Sequence, residues 1–195
     1  MEMKDMRNML DKACTIGIFL VLLLFSNSVF AQENSSSVQT EQIWRITILN
    51  PSVELELPVT KQTALSTSLG VGYGGSYPDL SFHEENGLAY LISPFVDVQY
   101  KWFYNLSKRM EKGRSILGNS GNFISARVLA RGTTISSNFD RTSNLDAAFG
   151  PTWGIQRLYG HLHLLFDVGP VYYTDFKGNG NIFPIMLQLN LGFDL

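Results

Sequence analysis

From Ile185 to Leu195 the chain alternates between two kinds of position. Ile185, Leu187, Leu189, Leu191, Phe193 and Leu195 fall on one face, and Met186, Gln188, Asn190, Gly192 and Asp194 on the other. The first face is wholly apolar, and the second is polar or small at all but Met186. A helix would repeat its apolar positions every three or four residues, so this period of two predicts a strand.

The same alternation recurs upstream. Val53, Leu55 and Leu57 oppose Glu54 and Glu56; Leu65, Leu69, Val71 and Tyr73 oppose Ser66, Ser68, Gly70 and Gly72. Ile92, Val96, Val98, Tyr100 and Trp102 oppose Ser93, Asp97, Gln99 and Lys101. Ile124, Ala126 and Val128 oppose Ser125, Arg127 and Arg131. Phe149, Trp153 and Ile155 oppose Gly150, Thr152, Gly154 and Gln156; Leu162, Leu164, Phe166 and Val168 oppose His163, Asp167 and Gly169. Turn-rich stretches separate these runs at Ser76–Gly87, Thr133–Asn144 and Thr174–Gly180. Seven clear runs make an odd number, and Ile43–Leu49 with a tight Asn50-Pro51-Ser52 turn supplies an eighth strand. The other reading of that region is one long strand from Trp44 to Leu57.

The first residues follow a different plan. Lys4, Arg7 and Lys12 precede the apolar run Thr15–Phe25, and Val29-Phe30-Ala31 resembles a cleavage site. Residues 1–31 are therefore expected to be a signal peptide. The run of 11 residues is short for a spanning helix, which needs about 20. Cys14, the single cysteine, lies ahead of that run, so the exported chain would have neither a disulfide nor an acylation site. Residues 32–42 are polar and read as a flexible lead, leaving 43–195 as the folded domain. Removal of 1–31 takes away three basic and three acidic residues and leaves the net charge at −2. That balance argues against a nucleic-acid partner.

Period two alone does not separate an exported soluble β-domain from a membrane barrel. Three features favour an all-β, antiparallel up-and-down transmembrane barrel of eight strands. The runs are long enough for tilted strands to cross a bilayer, whereas soluble strands average about five or six residues. Charges occupy mid-strand positions on the non-apolar face, as they do in a barrel with a polar interior. Tyr73, Tyr100, Trp102, Tyr104, Trp153, Tyr159 and Tyr172 gather toward strand ends, where amphipathic rings suit a lipid–water boundary.

Several stretches carry a resemblance: Asn50-Pro51-Ser52-Val53-Glu54, Tyr100–Leu106 (YKWFYNL), Asn119–Phe123 (NSGNF) and Gly150–Arg157 (GPTWGIQR). From about Trp44 onward the chain resembles the small outer-membrane β-barrel proteins of Bacteroidetes-type bacteria, related in architecture to the OmpA transmembrane domain and OmpX. Its last strand, with Phe193 and Leu195 on the apolar face, resembles the signal read by the barrel-insertion machinery. The resemblance implies an outer-membrane location and outer-membrane lipids as surroundings. Most members of that family have no assigned activity.

The candidate site is the enclosed polar face. Glu54, Glu56, Asp97 and Asp167 are expected to meet Lys101, Arg127 and Arg131, with Gln156, Gln188 and Asn190 completing a network that plugs the lumen. The competing reading is a narrow ion path. No catalytic residue, cofactor or metal is expected, and the outer loops are expected to contact an unknown extracellular ligand. The alternative is a lipid A-modifying enzyme built on His83 beside Ser81, Glu84 and Glu85, with His161 and His163 at the opposite end; no spacing there matches a nucleophile motif. The basic stretch Lys108, Arg109, Lys112 and Arg114 reads as a solvated turn, or else as attraction to anionic head groups or a periplasmic partner.

Overall fold

The computed structural model describes residues 38–73, 91–137 and 143–195. The expected signal peptide 1–31, residues 32–37 of the lead, the Ser76–Gly87 loop, Ser81, His83, Glu84 and Glu85 lie outside them, as does the side chain of Tyr73.

The alternating runs form β1 (Ile43–Thr47), β2 (Ser52–Thr60), β3 (Thr63–Tyr73), β4 (Leu91–Phe103) and β5 (Asn122–Arg131). They continue as β6 (Ser136–Ser137), β7 (Asp146–Tyr159), β8 (Leu162–Thr174) and β9 (Gly180–Asp194). The pairs run antiparallel in the order β3, β2, β1, β9, β8, β7, β5, β4, and β4 returns to β3. Eight strands thus close a ring. The two-residue β6 adds to the start of β4, prolonging the line of β5 after Gly132. First and last strands meet through Arg45↔Asp194, Ile46↔Phe193 and Thr47↔Gly192. The turn after β1 is where the Asn-Pro-Ser signal places it, so two strands replace the single-strand reading. They are short, however: β1 has 5 residues and β2 has 9, against 15 in β9.

Burial is inverted relative to a water-soluble sheet. Arg45, Glu56 and Lys101 are 0% exposed, while Leu69, Leu187 and Ile182 are 63–65% exposed. A strand turns successive side chains to opposite faces, so each alternation puts its polar set inside the ring and its apolar set outside.

One end of the ring carries the start of β1, the end of β9, the turn Thr60–Thr63 and the segment between β4 and β5. That segment departs from the expected solvated turn. It holds a helix, α1 (Leu106–Glu111), and a short 3-10 turn, Leu117–Asn119. Leu106 packs with Ala64, Phe103, Phe123 and Leu165 in a small apolar core, with Val38 and Ile116 against it. Burying these side chains outweighs the solvation a free loop would gain. Residues 38–42 are likewise not a free lead. Thr40 donates from its amide to the Lys61 carbonyl (3.1 Å) and from Oγ1 to that of Thr60 (2.7 Å), and the compact unit begins at Val38.

The ladder between β7 and β8 breaks from Phe149↔Tyr172 to Trp153↔Val168, where Pro151 and Pro170 offer no amide hydrogens. The two strands approach there so closely that a Cβ on Gly150 would lie 2.2 Å from the Pro170 carbonyl oxygen, and one on Gly169 2.1 Å from that of Pro151. The contacts are backbone and cannot swing aside. Gly169→Ala should therefore destabilise the fold by about 1–3 kcal/mol. A lowered urea midpoint with an unchanged m-value would register it.

Candidate functional site: the buried ionic interior

The inward side chains sort into layers. In the first, nearest the start of β1 and the end of β9, the Arg45 guanidinium donates to Asp194 Oδ1 (2.8 Å), Glu54 Oε1 (3.1 Å) and Glu56 Oε2 (3.2 Å). The register explains the reach: Arg45 lies opposite Glu54 across β1–β2 and opposite Asp194 across β1–β9. From β4, Lys101 Nζ donates to Glu56 Oε2 (2.7 Å), and to Gln156 Oε1 (3.0 Å) on β7. It also stands 5.4 Å from the centre of the Phe123 ring. Ser66 on β3 donates to Glu54.

The segment between β4 and β5 closes this layer from below. The Gly118 carbonyl accepts from Arg45 (3.3 Å) and Gln156 (3.0 Å), and the Asn119 amide donates to Glu56. Glu41 accepts from the Gly118 amide hydrogen (2.6 Å), which locks the strand lead to the same turn.

The second layer centres on Arg127. Its Nε and Nη2 grip Asp97 as a fork (2.9 and 2.7 Å), and Nη1 reaches Asp167 at 3.5 Å. Gln99 donates to Asp167 (2.9 Å) and Gln188 (3.2 Å). Above it, Arg131 donates to Asp146, its partner across β5–β7, at 2.8 Å.

Among the described residues the hydrogen bonds of the enclosed charges thus fall into separate layers. Arg131 meets Asp146 and not the glutamates, because Arg131 lies two turns of the pleat beyond Arg127 on β5. Asn190, expected in the network, accepts instead from Asn50 at the β1–β2 turn (3.2 Å). Glu54, Glu56, Lys101 and Gln156 do come together, and so do Asp97, Arg127, Asp167 and Gln188. His163 is buried in the interior, and neither of its ring nitrogens bonds a described protein group. Among the described residues no group of three or more His, Cys, Asp or Glu is placed to hold a metal ion.

Arg45, Gln99, Asn119, Asp146 and Asp194 belong to these layers without having been singled out from the sequence. Asp194 sits on the non-apolar face of the last strand, so the signal for it was present. Arg45 lies in a strand of five residues, too short for alternation to declare itself. Asn119 comes from an irregular turn, where no period exists to read.

At the other end, the β8–β9 turn is clasped by Asp175. Its carboxylate accepts from Asn179 Nδ2 (2.6 Å) and from the amides of Lys177 (2.8 Å) and Asn179 (3.0 Å). The Asn179 side chain, then the Lys177 amide, hold Asp175 below the usual carboxylate range. The clasp presents Phe176 63% exposed at a φ of 58°, which a bulky residue rarely adopts.

The chain matches no family model, and neither the curated proteins nor the solved structures contain a match to it. Function has to be argued from the interior itself. A buried pair broken on one side costs about 3–5 kcal/mol, against about 0–1 for a surface pair. Arg45→Ala strands three carboxylates against Lys101 alone, so it should fall in the larger range. Urea unfolding measures this, and a double-mutant cycle with Glu54→Ala should show strong coupling. At the turn, a depressed pKa means the clasp is intact above the ordinary Asp value near 3.9 and is lost as pH falls through the lower folded-state value. The Lys177 and Asn179 amide resonances should shift only below that ordinary value, and Asp175→Ala should show the shifted positions at neutral pH.

Proposed function

We propose that this chain is an outer-membrane β-barrel protein. On this reading it is exported by the signal peptide 1–31, its interior is plugged by the ionic layers, and its role is structural or in surface contact. The carrying observation is the inverted burial. Enclosing Arg45, Glu54, Glu56, Lys101, Asp97, Arg127 and Asp167 while turning Leu69, Val96, Ile124, Phe149, Leu187 and Leu189 outward makes sense for a wall facing hydrocarbon. In water that arrangement would bear the desolvation cost of every enclosed charge and expose a broad apolar surface as well.

Strand length supports the same reading. β3, β4, β5, β7, β8 and β9 have 10–15 residues, enough for tilted strands to cross a bilayer of about 30 Å. No helix among the described residues is long and apolar enough to cross a membrane, so a crossing by this part of the chain would be made by strands. The likeness to small Bacteroidetes-type barrels noted from the sequence fits this architecture. The plug reading rests on charges held at 2.7–3.5 Å by partners two strands away around the ring, on Gln156 and Gln99 reaching Glu56 and Gln188 on the facing walls (3.2 Å each), and on the Gly118–Asn119 turn beneath them. The clasped, outward Phe176 supports surface contact at the opposite end.

The test is refolding of the exported chain into detergent. Unboiled samples should migrate faster on a gel than boiled ones, and planar bilayers carrying the protein should show no steady conductance. A chain that stays folded and monomeric in plain buffer would sink the membrane reading. Open-channel currents would sink the plug alone.

A further inference from the structure

On the outer face, near the end that carries α1, one patch of wall combines rings and unpaired positive charge. Trp102, Ile124 and Trp153 lie side by side across β4, β5 and β7, all outward and exposed. Trp153 Nε1 donates to the Tyr104 hydroxyl (2.9 Å), and Trp102 packs edge-on against Tyr104. Further along β7 in the same outward direction come Arg157 and Tyr159.

Arg157 is held in place by neutral oxygens only. Nη1 donates to the carbonyls of Gly121 (2.7 Å) and Gln156 (2.6 Å), and Nη2 to Asn122 Oδ1 (2.6 Å). Arg109 of α1 is fixed in the same way, by two bonds to the Ser115 carbonyl (3.2 and 2.8 Å), while the Arg114 amide donates to the Arg109 carbonyl (2.9 Å). The Arg157 guanidinium lies within electrostatic reach of both Arg109 and Arg114, with the Tyr159 and Tyr104 hydroxyls nearby. Burial, and then the charge on Arg114, push the Arg109 guanidinium below its usual range. Among the described residues none of the three arginines forms an ion pair.

Arg109 and Arg157, each fixed by neutral oxygens, repel one another and the exposed Arg114, and an anion in their midst would relieve that repulsion. Guanidinium forks suit phosphate oxygens, and the Trp–Tyr row directly above suits the boundary between acyl chains and head groups. We propose that Arg109, Arg114 and Arg157, with Tyr104, Trp153 and Tyr159, bind the phosphate of an anionic phospholipid in the leaflet at the end carrying α1. The site rests on the membrane reading above: the rings meet the acyl region and the arginines the head group.

Native mass spectrometry of the full exported chain, refolded in detergent with phosphatidylglycerol or phosphatidylcholine, tests it. The wild type should retain one phosphatidylglycerol under activation that strips phosphatidylcholine. Each Arg→Gln change should weaken retention by roughly fivefold, and the triple variant R109Q/R114Q/R157Q should lose the preference. K108Q/K112Q, which removes two exposed charges from the same segment, should keep it. Equal retention of the two lipids by the wild type would overturn the site, as would an unchanged preference in the triple variant while its heat-modifiable migration is normal. Displacement of the lipid by equimolar inorganic phosphate would overturn the lipid assignment in favour of a soluble anion. A chain that is soluble without detergent fails the earlier reading, whereas one that folds in detergent and holds no lipid fails only this one.

Discussion

The structure depends on one constraint: a charge enclosed by a sheet must find its counter-charge inside the same ring. Moving an ion out of water costs several kcal/mol even after relaxation, and only close geometry with further hydrogen bonds recovers it. That requirement sets the register. Arg45 is opposite Glu54 and Asp194 at once because β1 lies between β2 and β9. A one-residue slip of β1 would turn Trp44 and Ile46 inward and leave Glu54, Glu56 and Asp194 without Arg45, with Lys101 still bonded to the two glutamates. The outward face follows from the same alternation, since a strand that sends its polar positions in must send its apolar positions out.

Volume is distributed to match charge. β3 supplies no ion; its inner face is Ser66, Ser68, Gly70 and Gly72, small where the long side chains of Glu54 and Lys101 cross the ring. Gly154 does the same on β7, because a Cβ there would lie 2.3 Å from the Phe123 ring. The first layer ties β1, β2, β4, β7 and β9 to the turn at Gly118, and the second ties β4, β5, β8 and β9. Strands distant in the chain are thereby fixed to one another by side chains as well as by their ladders. Among the described residues the first layer sets two basic side chains against three carboxyl groups and the second sets one against two.

Alternation made the ring legible where strands are long. Ile185–Leu195 and Ile92–Trp102 announced both faces, and the inward members were identified from polarity alone. What alternation cannot supply is which inward charge meets which, since that depends on stagger between strands. That Arg131 bonds Asp146 and Asn190 bonds Asn50 could not be read for this reason, although polarity put both on the inner face. In the segment from Asn105 to Asn122 the basic side chains of Lys108, Lys112 and Arg114 are exposed as a solvated turn would have them, but its helix and packed base were not legible because its apolar residues, Leu106 and Ile116, are few and set in a charged, glycine-bearing stretch. Their significance comes from Phe103 and Phe123, which bring them to one place at 5.6 Å between ring centres. Thr40 and Glu41 were misread for a related cause: their bonds run to the turns at Thr60–Thr63 and Gly118–Asn119, far away in sequence.

That same segment makes the two ends of the ring unlike. On its inner side it offers Gly118 and Asn119 to the ionic layer, both in left-handed conformations (φ 61° and 52°) that turn a carbonyl and an amide toward Arg45, Gln156 and Glu56. On its outer side it presents Arg109 and Arg114 beside Arg157. One short piece of chain thus meets the ionic layer on one side and carries arginines on the other, and it is anchored at Asn105, whose side chain accepts from the Asn122 amide (2.7 Å). The opposite end has no such insert among the described residues; it carries the Asp175 clasp and an outward Phe176. An even wall with unlike ends has a direction, and on the membrane reading that direction is set where backbone polar groups and arginines are concentrated, because those groups tolerate the head-group layer and not the hydrocarbon.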